Sequence, residues 1–234
     1  MANKAYSAKE LSMLGPRQPY TGRQLSQIAF PLGGIGTGSI SLSGTGALVD
    51  WEIHNRPNIG SVLPYSFFTL WTQAEGKEPV TKVLQSPPQA PFSGLGGGTY
   101  RGFGFGVGRE NGAGLPHMRK GIFYGEYPLA RIEFEDPAVP LQATLEAYNP
   151  FIPLNDRDSS LPVALFHVQL HNPGKTTVRA AVAANLYNAV GYAGEGPFDA
   201  PSVGDSRNTY VDRGSVRGIS MTSERYAADD PQYG

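Results

Sequence analysis

Apolar and polar positions alternate in twos along much of this chain. Ile40 and Leu42 alternate with Ser39, Ser41 and Ser43, and Val49, Trp51 and Ile53 alternate with Asp50, Glu52 and His54. A period of two is what a half-buried strand requires, because successive side chains point to opposite faces of the sheet. The same pattern returns at Ile132 and Phe134, between Arg131, Glu133 and Glu135, and at Leu141, Ala143, Leu145 and Ala147. Residues 65–71, Tyr-Ser-Phe-Phe-Thr-Leu-Trp, are apolar on both faces and suit a central strand. Residues 164–170 and 178–186 alternate on either side of Asn172-Pro173-Gly174-Lys175. Pro followed by Gly at the two central positions is the type II turn signature, so this pair is read as a hairpin. Residues 216–223 form the last strand candidate. The one helix signal is a capping box at Ser7 and Glu10, stopped at Gly15-Pro16. About eight strands without a crossover helix predict an all-β, antiparallel β-sandwich.

Between these strands, residues 85–125 break the pattern. The segment opens on Ser86-Pro87-Pro88 and carries eight glycines between Gly94 and Gly108, with Phe92, Tyr100, Phe103 and Phe105 among them. About forty residues far exceeds the usual connection of four to six, so it is expected to be a functional excursion or an insert. Composition agrees with a turn-rich β protein: 30 glycines and 20 prolines in 234 residues leave little room for long helices. With 40% hydrophobic and 17% charged residues the chain has ample material for a core, which argues against disorder.

Charge excludes some partners. Lys and Arg number 19 against 20 Asp and Glu, a net charge of −1, so neither nucleic acid nor an anionic membrane is expected to be held by bulk electrostatics. Cysteine is absent, which removes disulfides, thiolate metal sites and a cysteine nucleophile. No apolar run is long enough for a spanning helix, and residues 1–7 carry no signal-peptide core. The default expectation is a soluble cytoplasmic protein without a transmembrane segment.

Candidate chemistry is sparse. Gly33-Gly34-Ile35-Gly36-Thr37-Gly38 invites a phosphate-loop reading, but the Lys-Ser/Thr pair is missing, and strand-like residues follow where a helix N-terminus should offer its amides. A tight turn that lets backbone pack on backbone fits better. His167 and His171 share a strand face with Gln169, yet four strand residues separate their Cα atoms by roughly 13 Å, too far to grip one metal ion. No metal site or cofactor is expected. Asp50, Glu52 and His54 fall on one strand face, with neighbouring same-face Cα atoms about 6.6 Å apart. Two carboxylates at that spacing are a conceivable acid–base pair for sugar hydrolysis, set against the plainer reading of a solvated polar face. Asp156 and Asp158, flanking Arg157, read as turn or salt-bridge residues.

Two longer stretches carry a resemblance. Residues 30–40, Phe-Pro-Leu-Gly-Gly-Ile-Gly-Thr-Gly-Ser-Ile, with Gly44, Gly46 and Trp51-Glu52-Ile53-His54-Asn55-Arg56-Pro57 behind them, resemble the opening of glycoside hydrolase family 116. That family includes β-glucosidases and the non-lysosomal glucosylceramidase, also called bile acid β-glucosidase. Residues 149–163, Asn-Pro-Phe-Ile-Pro-Leu-Asn-Asp-Arg-Asp-Ser-Ser-Leu-Pro-Val, resemble a second segment of that family, in the right order. The resemblance implies an N-terminal β-sandwich (super-sandwich) packed on a C-terminal (α/α)6 barrel. That barrel hydrolyses β-glucosides with retention, using a Glu nucleophile and an Asp acid/base.

No barrel follows within this sequence, so no catalytic residue maps onto it. The chain reads as an N-terminal fragment: a lead-in with a short helix at 1–24, then the family 116 sandwich at 25–234, incomplete at its C-terminal end. Alone it is expected to be inactive. Its partner is the catalytic domain of the same parent, which meets the β-glucoside substrate. Trp51, His54, Asn55 and Arg56 are the expected barrel-interface or active-site-mouth residues, and the Gly-rich excursion is a second candidate. The alternative is a stand-alone carbohydrate-binding module stacking sugars on Trp51, Trp71, Tyr100 or Tyr124. A third reading is a minimal hydrolase built on Asp50 and Glu52. Strands left without later partners predict open edges, and with them self-association.

Overall fold

The computed structural model describes residues 7, 9, 12, 13, 15–55, 57–89, 114–194 and 203–230. Among them are twelve strands in four antiparallel sheets. The first sheet joins β1 (Ala29–Leu32), β2 (Ser39–Ser43) and β3 (Leu48–Glu52) in that order. The second places β4 (Phe67–Ala74) between β5 (Val80–Val83) and β10 (Val178–Asn185). The third runs β6 (Lys120–Glu126), β7 (Leu129–Glu135), β8 (Gln142–Tyr148) and β9 (Leu165–His171). The fourth is a ribbon of β11 (Ser206–Asp212) and β12 (Arg217–Ser223). The all-β, sandwich-like class follows from this pattern.

Strands β7 and β8 show how alternation becomes a core. Each buries every second residue, and register sets Ile132 opposite Leu145 and Phe134 opposite Ala143, a large side chain against a small one. Ile132 and Leu145 are fully enclosed, and burial of each stabilises the fold by about 2 kcal/mol. The second sheet lies against this face: Phe68 of β4 meets Phe166 of β9 with ring centroids 5.1 Å apart, and Leu70, Val80 and Val178 pack into the same core. The first sheet joins through Phe30, whose ring lies 6.4 Å from that of Phe123.

Three expectations are corrected. The arms of the predicted hairpin are both strands, but they do not pair with each other: β9 pairs with β8 and β10 with β4. Asn172 accepts a hydrogen bond from the Gly174 amide at 3.0 Å and donates to the Thr176 carbonyl at 2.8 Å. The loop so formed carries the chain from one layer to the other. Local turn chemistry bends the backbone but does not choose the partner of each arm, which is decided by the eight-residue register with β4.

Second, the excursion is shorter than 85–125. Residues 120–125 belong to β6, where Phe123 is buried, and residues 90–113 lie outside the described ones. Third, the alternation through Val49, Trp51 and Ile53 stops at Glu52, and Ile53 is exposed. In the lead-in, Lys9 and Ser12 have helical backbone, while Glu10 of the capping box is outside the described residues. A 3-10 helix at Gly22–Gln27 buries Leu25, and Tyr20 exchanges two backbone hydrogen bonds with Phe123, at 2.8 and 3.0 Å.

One ion pair ties the layers. Lys82 of β5 lies 3.1 Å from the buried Asp136 carboxylate in the β7–β8 turn, which also accepts the amides of Ala138 at 2.9 Å and Arg119 at 3.1 Å. Burial by itself pushes the Asp136 carboxyl up. The Ala138 amide, the Lys82 ammonium and the Arg119 amide together outweigh it, and its pKa ends below the ordinary value of 3.8. The folded state therefore holds the ionised form better than the unfolded chain does. Its contribution is present above about pH 4 and is lost as pH falls through the lower folded value. We expect Asp136→Asn to cost about 2 kcal/mol at pH 7. Denaturant melts at pH 7 and pH 3 should show the gap to wild type closing at the lower pH; an equal gap at both would refute the linkage.

Candidate functional site

The predicted site residues follow β3, and the local backbone explains where they go. Register jumps from Ser41 opposite Val49 to Ser39 opposite Glu52, so β3 carries an extra residue, a β-bulge. Asp50 takes a left-handed φ of 53° there. Its carboxylate accepts the Gly60 amide at 2.6 Å, and its own amide donates to the Ser61 carbonyl at 2.9 Å. Glu52 accepts the Asn58 amide at 3.0 Å, Asn58 returns a bond to the Trp51 carbonyl at 3.2 Å, and the Trp51 amide donates to Ser61 Oγ at 2.7 Å. Both carboxylates therefore organise the loop at 57–61. The bulge removes the single-face spacing on which the acid–base reading rested.

Trp51 is only 7% exposed, and its indole N–H reaches the Leu48 carbonyl at 3.3 Å, so its ring belongs to the core. His54 and Asn55 are exposed. The His54 ring lies 4.9 Å from that of the buried Tyr192, and Asn55 has a left-handed φ of 52°. Arg56 and Tyr100 lie outside the described residues.

The glycine-rich turn sits between two other segments. A Cβ on Gly38 would fall 2.9 Å from the Glu52 carbonyl oxygen, and one on Gly34 would collide with the backbone of Ser160 and Leu161. The Ile35 amide donates to the Ser159 carbonyl at 2.9 Å. Asn149 completes the join: its Oδ1 accepts the Gly33 amide at 2.6 Å and its Nδ2 donates to the Pro31 carbonyl at 2.8 Å. One side-chain amide thus supplies the two bonds a neighbouring strand would have given to β1. Asp156 and Asp158 lie in a one-turn helix, Asp156–Ser159, whose N-cap Asn155 accepts the Asp158 amide at 3.1 Å. Ser159 Oγ then bonds both the amide and the carbonyl of Ile152, at 2.9 and 3.0 Å.

Residues 33–38 therefore lie against Glu52 and Ile53 on one side and against Asn149 and residues 159–161 on the other, segments distant in sequence. The reading of the glycines as close-approach residues agrees with this geometry. Asn149, Ser61, Ser159 and Tyr192 are organisers that the sequence reading did not single out; Asn149 opened a recognised motif but gave no sign of its partner 116 residues away. On β9, His167 and Gln169 meet Glu146 of β8 at 3.3 and 3.0 Å, a cross-strand polar pair. Among the described residues no group of three His, Asp or Glu side chains is placed to hold a metal ion, and no helix is long and apolar enough to cross a membrane.

Residues 29–234 match the family described as "beta-glucosidase 2, glycosyl-hydrolase family 116 N-term", and the chain belongs to it. An N-terminal domain of such a protein implies a catalytic domain in the same parent.

Proposed function

We propose that this chain is the non-catalytic β-sandwich portion of a retaining β-glucosidase or glucosylceramidase-like hydrolase, supporting the (α/α)6 catalytic domain of its parent. The observation that carries the reading is the use to which Asp50 and Glu52 are put. Each holds a backbone amide of the 57–61 loop. Retaining hydrolysis needs two free carboxyls about 5–5.5 Å apart, facing one sugar. His54 and Asn55 are exposed just after β3, where a neighbouring domain has access to them, and the buried Trp51 anchors the strand.

The carbohydrate-binding reading is less well supported. The Trp51 ring is in the core, and Arg179 lies over the Trp71 ring at 6.0 Å, on a face that a sugar would need. Incubating the 234-residue chain with an aryl β-glucoside is expected to give no hydrolysis, and titration with cello-oligosaccharides no binding. Excision of the chain from its parent is expected to lower the parent's thermal stability and turnover. Hydrolysis by the chain alone, lost in Asp50→Asn, would overturn the proposal.

A further inference from the structure

A sheet edge invites another chain, because every second residue along it leaves its N–H and C=O without a strand partner. Most edges of this fold are covered. Pro31 and the Asn149 side chain close β1. The amides of Asp50 and Trp51 on β3 go to Ser61. Val83 on β5 donates to the Pro116 carbonyl at 3.0 Å, and Phe123 on β6 is paired with Tyr20. The β11–β12 ribbon is flanked by the ion pairs Arg207–Glu224 at 2.6 Å and Arg217–Asp212 at 3.1 Å, and charge blunts an edge.

Strand β10 has none of this. Among the described residues it pairs with β4 alone, over eight residues, and no other segment bonds its backbone. Its sequence, Val-Arg-Ala-Ala-Val-Ala-Ala-Asn, has neither proline nor glycine and a single charge, Arg179, which lies over the Trp71 ring. Every residue after Val178 is exposed. That includes the inner face. Register sets Val182 opposite the fully buried Leu70, so its side chain points into the sandwich, yet it is 40% exposed. On β9, Leu170 stands opposite the buried Ala143 and is 37% exposed. The interior is therefore open along the free edges of both strands. Of the two, β9 carries His167, Gln169 and His171 on its outer face, whereas the alanines of β10 lose almost no side-chain entropy when ordered.

We propose that β10 pairs antiparallel with β10 of a second copy of this chain, about a two-fold axis at Val182. An axis perpendicular to the sheet keeps inner residues with inner and outer with outer, and it continues the β10-β4-β5 sheet into that of the other copy. Val182 then meets its own copy and Ala180 meets Ala184 on the inner face, while Ala181 meets Ala183 and Arg179 meets Asn185 on the outer. No like charges face each other. A second copy is the occupant that the strand's own chemistry fits: small side chains permit close approach in this register, and a chain of net charge −1 hardly repels its twin. Eight residues at about 3.4 Å and two layers about 10 Å apart give each copy a flank on the order of 500 Å², near the roughly 1,000 Å² in total that a specific pair needs. The pairing is independent of the supporting role proposed above, and it gives the self-association expected of open edges a place and a symmetry.

Sedimentation velocity of the 234-residue chain should show a dimer. Ala181→Lys with Ala183→Lys sets like charges opposite each other on both sides of the axis, and should weaken that dimer about tenfold or more. Ala181→Glu with Ala183→Lys sets opposite charges there and should restore it, which separates lost pairing from lost folding. Thr209→Lys, on the ribbon, should leave the dimer as it is. A chain that stays monomeric overturns the proposal. So does a dimer that the lysine pair leaves at full strength, or one that Thr209→Lys dissolves. If the Glu/Lys variant is monomeric while its circular dichroism matches the wild type, the register is wrong and the proposal fails. Open-ended assembly in place of a closed dimer overturns it too, since a two-fold pair leaves no β10 edge free.

Discussion

Asn149→Ala is expected to destabilise the chain by about 3 kcal/mol, because the Gly33 amide and the Pro31 carbonyl lose their shared partner in a part-buried site. Each buried group left unsatisfied costs about 1–3 kcal/mol, and alanine offers neither donor nor acceptor. For a domain of this size 1 kcal/mol moves the midpoint by about 2–4 °C, so a fall of roughly 6–12 °C is expected. Asn149→Asp should be no better. It keeps an acceptor for Gly33 at 2.6 Å but turns a second acceptor toward the Pro31 carbonyl, which now receives a proton donor at 2.8 Å. Thermal melts followed by near-ultraviolet circular dichroism would measure both. A loss below 1 kcal/mol in Asn149→Ala would mean that the clamp does not tie the glycine turn to the 149–161 segment.

The second large effect is expected at Gly34. An added methyl would meet the backbone of Ser160 and Leu161, and backbone cannot rotate aside as a side chain can. Overpacking of this kind costs about 1–3 kcal/mol when neighbours yield, and more when they do not, so Gly34→Ala should lose about 3 kcal/mol. Gly36→Ala is the matched control. Gly36 has a φ of 72° and nothing within 4 Å of an added Cβ, so it pays only the left-handed penalty of about 1 kcal/mol. If the two substitutions cost the same, the glycine turn and the 149–161 segment are not in contact in solution.

These two positions also show what was legible in the chain. The glycines of 33–38 were readable as close-approach residues because no helix follows them to make a phosphate cradle. Their partners were not readable, since nothing local to Gly34 encodes Ser160, or to Gly33 encodes Asn149. The same limit applies to Asp50 and Glu52. Strict alternation placed them on one face, but a bulge is an event of pairing with β2, and it redirected both carboxylates to the 57–61 loop. Strand β11 escaped notice because Ser-Arg-Asn-Thr-Tyr-Val-Asp has almost no apolar alternation; it is a strand because β12 pairs with it across seven residues.

By itself, the sequence determined the all-β class, the positions of most strands and the family, because period-two alternation, glycine and proline punctuation and the two motif segments are local properties of the chain. Tertiary structure alone decided which strands pair, turning a predicted hairpin into a crossing between layers, and which motif residues meet. Pairing partners and close approaches are set by long-range register and packing, in which each residue's energy depends on neighbours a hundred positions away.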